Sequence, residues 1–257
     1  MKMFWTLMIT GFSLFIFTVD SQAQLPEYDW AFTYSAGGVA SGAKTVVPIS
    51  NCQLLMAGTT AYGDIFTYYY YGYAAKLDEN GDTLWTKRYG GAQNDQFYSA
   101  IEMAFGDYVF AGMTNSYGAG GYDFWWVRTN ANGDTVRTKR YGGVSDDVCY
   151  SIIETVYQHQ VLAGYTYTGG RGGQDFFVVK VDSNGDTLWT RAFGGQYSDV
   201  CQRVLETADR GYLLIGSTSS FGVTPGGNAD AWIVRISENG DSLWSKTFGG
   251  TPGDYLR

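Results

Sequence analysis

A fifteen-residue sequence motif that occurs four times constrains the fold of this chain more than any other feature. LDENGDTLWTKRYGG returns as TNANGDTVRTKRYGG, VDSNGDTLWTRAFGG and ISENGDSLWSKTFGG, and its Asn-Gly pair recurs at intervals of 52, 52 and 55 residues from Asn80 onward. A period of about 50 residues is typical of architectures in which one supersecondary unit is copied and stacked. The chain is therefore expected to fold as four similar units.

Each unit reads as four short strands without a helix. In the second unit, apolar stretches at 97–103, up to Gly112, at 123–127 and at 135–141 are separated by turns. An Asn-Gly pair between two apolar runs favours a hairpin with a two-residue type I′ turn, which needs positive φ at both central residues. The strands DFFVVKV and DAWIVRI are apolar on both faces, as in a sheet that is covered on both sides.

Four strands per unit, two covered faces and about 50 residues per unit together describe a blade of a β-propeller. The expected fold class is all-β, a β-propeller of four-stranded antiparallel blades. AFTYSAGG at 31–38 matches a fourth strand, yet the last unit already has its own, SLWSKTF. Because these two strands would compete for one place in a closed four-bladed ring, an incomplete ring with partial flanking strands is expected. The predicted domains are a signal peptide at 1–23 and a repeat region at 24–257, with units at approximately 39–91, 92–143, 144–195 and 196–250 and a partial unit at 251–257.

The motifs GGxxxD, AGxT, GxxDxFVVKxD and NGDxxW resemble those of the secreted bacterial β-propeller repeats, over residues 28–257. DSNGDTLW is also similar to the tryptophan-docking motif of quinoprotein propellers. The resemblance implies a propeller fold and a relation to large exported surface proteins. It is not taken to imply quinone chemistry. Two positions depart from the pattern, since Arg137 replaces a tryptophan and Tyr71 replaces a strand-opening aspartate.

The first residues predict export. Lys2 precedes a mostly apolar run that ends in Ser21-Gln22-Ala23, a small-x-small pattern read by signal peptidase. That run is short for a membrane-spanning helix and no later segment is suitable, so a secreted protein that does not span a membrane is expected, outside the cell, at its surface or in the periplasm. The formal net charge of −8 repels phosphate backbones and argues against nucleic acid as a partner.

The acidic residues of the repeated motif raise the alternative of a calcium site. Oxygen-bearing side chains alternate as in the first half of an EF-hand loop, but the glycine and the twelfth residue do not match that loop. A hairpin turn, in which the first aspartate accepts backbone N–H groups, is the favoured interpretation, with no cofactor. The calcium alternative would use Asp78, Asn80, Asp82, Asp182, Asn184 and Asp186.

Three tryptophans that follow the turn are predicted to dock one blade on the next. Trp85, Trp189 and Trp244 should be buried between blades and bond a backbone partner through the indole N–H. Arg137 holds this position in the second unit and predicts a weaker joint there.

Other recurring side chains are interpreted as structural. An active site occurs once, whereas one aspartate column follows each Gly-Gly pair by four residues and another opens the third strands, so both are expected to fix loops. No catalytic residue is predicted, and Cys149 and Cys201 are expected to be buried free thiols. The aspartates of the two columns are Asp95, Asp147, Asp199 and Asp254, then Asp123, Asp175 and Asp230.

The loops between second and third strands vary most among the units. In a repeat protein, the segments that vary on a constant scaffold are where binding specificity is placed. Their aromatic side chains suit stacking on sugar rings and suit packing on each other equally. We expect a non-enzymatic binding or scaffold module for an extracellular glycan or protein. The alternatives are a polysaccharide-active hydrolase or lyase, a quinoprotein-like dehydrogenase fragment, and a purely structural spacer. The candidate ligand-binding residues, expected on one face, are Tyr69, Tyr117, Tyr122, Tyr167 and Phe221.

Overall fold

The repeated units fold into four antiparallel sheets of four strands each, with the strands in chain order in every sheet. The computed structural model describes residues 40–63, 68–222 and 225–250. The predicted all-β fold class with four strands per unit is confirmed. The signal peptide, the AFTYSAGG strand and the partial unit at 251–257 lie outside the described residues.

The strand bounds follow the repeat. Sheet 1 contains β1 (Ala40–Ile49), β2 (Gln53–Gly63), β3 (Tyr68–Leu77) and β4 (Thr83–Tyr89), with a short 3-10 helix (Ser50–Cys52) after β1. Sheet 2 contains β5 (Asp95–Glu102), β6 (Tyr108–Thr114), β7 (Asp123–Thr129) and β8 (Thr135–Tyr141). Sheet 3 contains β9 (Asp147–Glu154), β10 (Gln160–Thr166), β11 (Asp175–Val181) and β12 (Thr187–Phe193). Sheet 4 contains β13 (Asp199–Glu206), β14 (Tyr212–Thr218), β15 (Asp230–Ile236) and β16 (Ser242–Phe248).

The first strand of every sheet carries a β-bulge at the same repeat position. The pairing register slips there by one residue, which leaves one side chain outside the regular alternation. A bulge bends its strand and re-aims the extra side chain. The residues at the bulge are Lys44, Tyr98, Tyr150 and Gln202.

The hydrophobic core lies between successive sheets. Between sheets 1 and 2, the ring of Phe97 stacks on Phe110 and Trp125 at centroid distances of 5.1 and 4.8 Å, and Tyr89 of sheet 1 lies 5.5 Å from Phe97. Similar clusters join sheets 2 and 3 and sheets 3 and 4. Among the described residues, the closely packed strand pairs between sheets all join sheets that are consecutive in the chain.

Polar side chains tie the same sheets together. The Ser99 hydroxyl accepts the N–H of Ile152 at 3.3 Å, and Ser151 repeats the bond with Val204 at 3.3 Å. These bonds join the first strands of sheets 2, 3 and 4, so the sheets are stacked with their first strands side by side.

Candidate functional site

The repeated Asn-Gly-Asp motif forms the loop between the third and fourth strands of each sheet. In sheet 1, the carboxylate of Asp78 accepts the N–H groups of Asn80 and Asp82 at 2.9 Å each. Asn130 and Asp182 accept the equivalent pair in sheets 2 and 3. The predicted role of the first residue, as an acceptor for local backbone N–H groups, is confirmed.

The predicted type I′ turn is wrong. Gly81 and Gly133 have φ of +83° and +76°, but the asparagines that precede them, Asn80 and Asn132, do not have positive φ. The loop spans five residues instead of two, because the side chain of its first residue supplies the acceptor that closes a wider turn. Only the glycine then needs the left-handed conformation.

The loops of sheets 2, 3 and 4 each rest on the fourth strand of the preceding sheet, and we call this contact a joint. At the first joint, Trp85 donates its indole N–H to the carbonyl of Ala131 at 3.1 Å. The Tyr89 hydroxyl donates to the carbonyl of Gly133 at 2.7 Å. A Cβ on Gly133 would lie 3.1 Å from the Trp85 ring, so the ring packs directly on the glycine.

A cation completes each joint. Lys139 Nζ lies 2.6 Å from Asp186 Oδ1, and its ammonium holds the pKa of that carboxyl below the usual value. Asp186, one of the aspartates that the calcium alternative needs, is therefore engaged by the preceding sheet. Within the described residues, no group of three or more His, Cys, Asp or Glu side chains is arranged to hold a metal. The equivalent ion pairs are Lys87 with Asp134 and Arg191 with Asp241.

Arg137 takes the place of the tryptophan at the second joint. Its guanidinium donates to the carbonyl of Asn184 at 3.1 Å, and the Tyr141 hydroxyl donates to Gly185 at 2.7 Å. The ring of Trp126, from the third strand, lies where a Cβ on Gly185 would be 3.0 Å away. An indole from another strand thus covers the glycine, and the weakness of this joint stays a prediction.

Trp189 repeats the first joint, whereas Trp244 does not. The indole N–H of Trp189 donates to the carbonyl of Glu238 at 3.3 Å, and its ring lies 6.1 Å from that of Tyr212. Trp85 and Trp189 are both half-buried. The predicted burial of Trp244 is wrong: the side chain is 46% exposed, because in the part of the chain that the structure describes no loop lies against β16.

Both aspartate columns fix loops, as predicted. The carboxylate of Asp95 accepts the N–H of Gly91 at 2.8 Å, and Asp147 and Asp199 repeat this bond at 2.7 and 2.9 Å. Asp175, from the second column, accepts an N–H of the loop before it at 2.7 Å. Carboxylates that recur in sheets 2, 3 and 4 and hold loop backbone there have a structural role.

The two columns meet where the fourth strand of one sheet leads into the first strand of the next. A Cβ on Gly194 would lie 1.7 Å from Asp175 Oδ1 and 2.8 Å from Asp199 Oδ2, so only glycine leaves room for the two carboxylates to face each other. Asp175 is 1% exposed, and its Oδ1 has no hydrogen-bond partner among the described residues. Burial, together with the charge of Asp199, raises the pKa of Asp175.

The five candidate ligand residues have different surroundings. Tyr117 and Phe221 are 40% and 45% exposed, and each rests on a tryptophan of its own sheet. The centroid distances are 6.4 Å to Trp125 and 5.1 Å to Trp232. Tyr69 lies within β3 and not in a loop, because β2 and β3 extend further into this segment than the sequence suggested.

Tyr122 and Tyr167 border a group of tyrosines that sequence reasoning missed. Tyr98 and Tyr150, at the bulges of β5 and β9, have ring centroids 5.1 Å apart. The ring of Tyr165 is 5.9 Å from Tyr150 and 5.8 Å from Tyr167. We call these five residues the inner tyrosine cluster. Tyr167 is its most open member at 46% exposed, and the other four are half-buried.

Polar groups surround the inner tyrosine cluster. The Tyr98 hydroxyl donates to Gln96 Oε1 at 3.2 Å, and the amide of Asn94 donates to the Tyr122 hydroxyl at 3.4 Å. Lys44 Nζ lies 5.7 Å from the centroid of the Tyr98 ring. Edge-to-face and tilted rings, amides and one ammonium group together offer apolar faces and hydrogen-bonding edges to a ligand.

Burial fixes the protonation state of the cluster. It raises the pKa of Tyr98, Tyr150 and Tyr165 to about 12 each. These hydroxyls therefore stay protonated at neutral pH and act as hydrogen-bond donors. None of these three hydroxyls is poised to act as a base near neutral pH, because that role needs a pKa near the working pH.

No family model matches the chain, and no curated protein is significantly similar to it. Among solved structures, a protein of unknown function from Bacteroides caccae is similar over 85% of this chain and 70% of its own, with a TM-score of 0.53 and 12% identity. A structure described as the eukaryotic initiation factor matches over 80% and 55%, with a TM-score of 0.37 and 10% identity. The first likeness concerns the fold alone, and the second is too weak to bear on fold or function. None of the helices among the described residues has the length and apolarity to cross a membrane.

Proposed function

We propose that this chain is a secreted, non-enzymatic binding module in which the four sheets are blades of an incomplete β-propeller. The stacking of consecutive sheets and the bonds between their first strands support the propeller arrangement. The signal-peptide pattern at 1–23 supports secretion.

The single observation that carries a binding function is the inner tyrosine cluster. Up to the third joint the recurring aspartates, basic residues and tryptophans are engaged in loops and joints, whereas the bulge position changes from lysine to tyrosine to glutamine between sheets. Half-open aromatic side chains that gather at a varying position favour a binding site over a packing core.

An extracellular glycan is the ligand that fits this surface best. Tyrosine rings stack on the apolar faces of sugar rings, while protonated hydroxyls and the amides of Gln96 and Asn94 match sugar hydroxyl groups. The net charge of −8 makes an anionic polymer a poor alternative.

A glycan array with the secreted chain, followed by calorimetric titration of the strongest hit, tests the proposal. Tyr167→Ala should weaken binding about twofold to tenfold, the equivalent of about 0.5–1.5 kcal/mol for one aromatic contact. Tyr157→Ala is the matched control, since Tyr157 is 45% exposed and stacks on Arg210, outside the cluster. An empty array, or equal affinities for Tyr167→Ala and the unchanged chain, would overturn the assignment.

A further inference from the structure

The face of sheet 4 that points away from sheet 3 is apolar and open. Three of its side chains are 46–52% exposed, and three more are only half-buried. Every residue of β16 is exposed. The six positions, which we call the open face, are Leu205, Leu213, Ile215, Ile233, Trp244 and Phe248.

The same six repeat positions form an interface in the other sheets. In sheet 3 they are Ile153, Val161, Ala163, Val178, Trp189 and Phe193, and all six belong to the core shared with sheet 4. In sheet 2 five of the six belong to the core shared with sheet 3, and Arg137 is the sixth. In sheet 1 all six belong to the core shared with sheet 2. These positions are therefore built to receive a following sheet, and sheet 4 keeps all six apolar.

The polar half of the joint is also present on β16. Lys246 holds the position of Lys87, Lys139 and Arg191, each of which pairs with the aspartate of the following loop. Among the described residues no aspartate pairs with Lys246, whose Nζ lies 5.9 Å from the centroid of the Trp244 ring. A loop that offers a carbonyl oxygen, a glycine and an aspartate would satisfy both side chains.

The sequence after β16 indicates what kind of structure would cover the open face. GGTPGD, ending at Asp254, repeats the GGxxxD pattern that leads into the first strands at Asp95, Asp147 and Asp199. We propose that the open face is the docking surface for a further sheet of this repeat type, carried by the same polypeptide, whose Asn-Gly-Asp loop binds Trp244 and Lys246. This rests on the sheet stacking in the proposed function and goes beyond it, since it defines an interface with no part in glycan binding.

The test extends the full chain by one sheet. A copy of residues 151–194 is fused after Arg257, which aligns with Tyr150, so that the copy supplies the loop equivalent to Asn184-Gly185-Asp186. Acylation of individual lysines by an amine-reactive reagent is followed by peptide mass spectrometry. Lys246 should react faster than Lys87 in the original chain and slow about threefold or more in the extended chain, as expected for a paired lysine.

A control extension carries Gly185→Val and Asp186→Lys in the copy only, and it should leave Lys246 reactive. Melting temperature gives a second readout. Trp244→Ala should have almost no effect on the original chain and lower the melting temperature of the extended chain by about 5 °C or more, as Trp189→Ala does in both.

Two results would overturn the proposal. Lys246 could stay reactive in the extended chain, whether or not the added residues fold. Alternatively, sedimentation could show that the original chain self-associates with Lys246 protected, which would assign the open face to a second copy. Glycan binding is measured on the original chain, so either failure is distinguishable from a failure of the proposed function.

Discussion

The tyrosine hydroxyl at the second joint allows a quantitative test of how the sheets are held together. Tyr141 is 8% exposed, and its hydroxyl donates to the carbonyl of Gly185 at 2.7 Å. Burial raises the pKa of Tyr141 well above its usual value, so the hydroxyl remains a donor over the whole working range of pH. Tyr141→Phe removes this bond and leaves the ring in place.

The expected loss is about 1–2 kcal/mol of unfolding free energy. A hydrogen bond between neutral groups contributes about 0.5–1.5 kcal/mol net, and the buried carbonyl left without a partner adds to the cost. Tyr89→Phe should lose the same amount, because its bond to Gly133 has the same length of 2.7 Å. The third joint offers the reverse change: Phe193 lacks the hydroxyl, so Phe193→Tyr should gain about 0.5–1 kcal/mol.

Urea unfolding followed by tryptophan fluorescence measures these differences, provided that the slope m is unchanged. In thermal unfolding, 1 kcal/mol corresponds to about 2–4 °C for a chain of this size. Tyr157→Phe serves as the control, because Tyr157 is 45% exposed and no hydrogen bond of its hydroxyl is found among the described residues. If Tyr141→Phe changes the unfolding free energy by less than about 0.3 kcal/mol, the joints do not hold the sheets in the way derived above.

Three further predictions concern ionisable groups and metal. Native protein should expose one reactive thiol, Cys52, whereas Cys149 and Cys201 should react only after unfolding, since burial raises the pKa of Cys201 to about 12; three fast-reacting native thiols would contradict this. Unfolding free energy should fall as pH rises from about 4 toward 8, because carboxyls whose folded pKa is raised by burial stabilise the protein fully only below their unfolded pKa. Asp123, Asp147 and Asp175 are among the carboxyls whose pKa burial raises. Asp175→Asn should therefore reduce the slope of unfolding free energy against pH, measured by urea unfolding at several pH values. An unchanged slope would refute the assignment of this pH dependence to buried carboxyls. Calcium removal by a chelator should shift the melting temperature by less than about 5 °C, and a larger shift would revive the calcium alternative.

The features that the sequence predicts well are local ones. The strand predicted at 135–141 is found at Thr135–Tyr141, because the Asn-Gly pair before it and the Gly-Gly pair after it set its ends without reference to neighbouring sheets. The loop-fixing aspartates were also predictable, since Asp95 bonds to the N–H of Gly91 only four residues earlier. Repetition strengthened both conclusions, because each unit is an independent test of the same pattern.

The two errors have different causes. Trp244 holds the same repeat position as Trp189, but burial is decided by whether a second sheet covers it, which the sequence of one strand does not encode. The type I′ turn failed for a local reason, because the predicted bonds to the Asp78 carboxylate, two residues before Asn80, close a wider loop.

The inner tyrosine cluster depends on a strand pairing that the sequence of a single strand does not reveal. The pairing of β5 with β6 places Tyr98 on a bulge, and nothing in the sequence of β5 alone marks the bulge. A comparison between units does carry a signal. Trp85 and Trp189 make the same bond to the next loop, and of the four sheets only the second departs from tryptophan at this position, with Arg137. The bulge takes no part in a joint, and it holds lysine, tyrosine, tyrosine and glutamine in turn. The tryptophan position of the joint varies less than the bulge, and for that reason we propose that ligand specificity lies at the bulge.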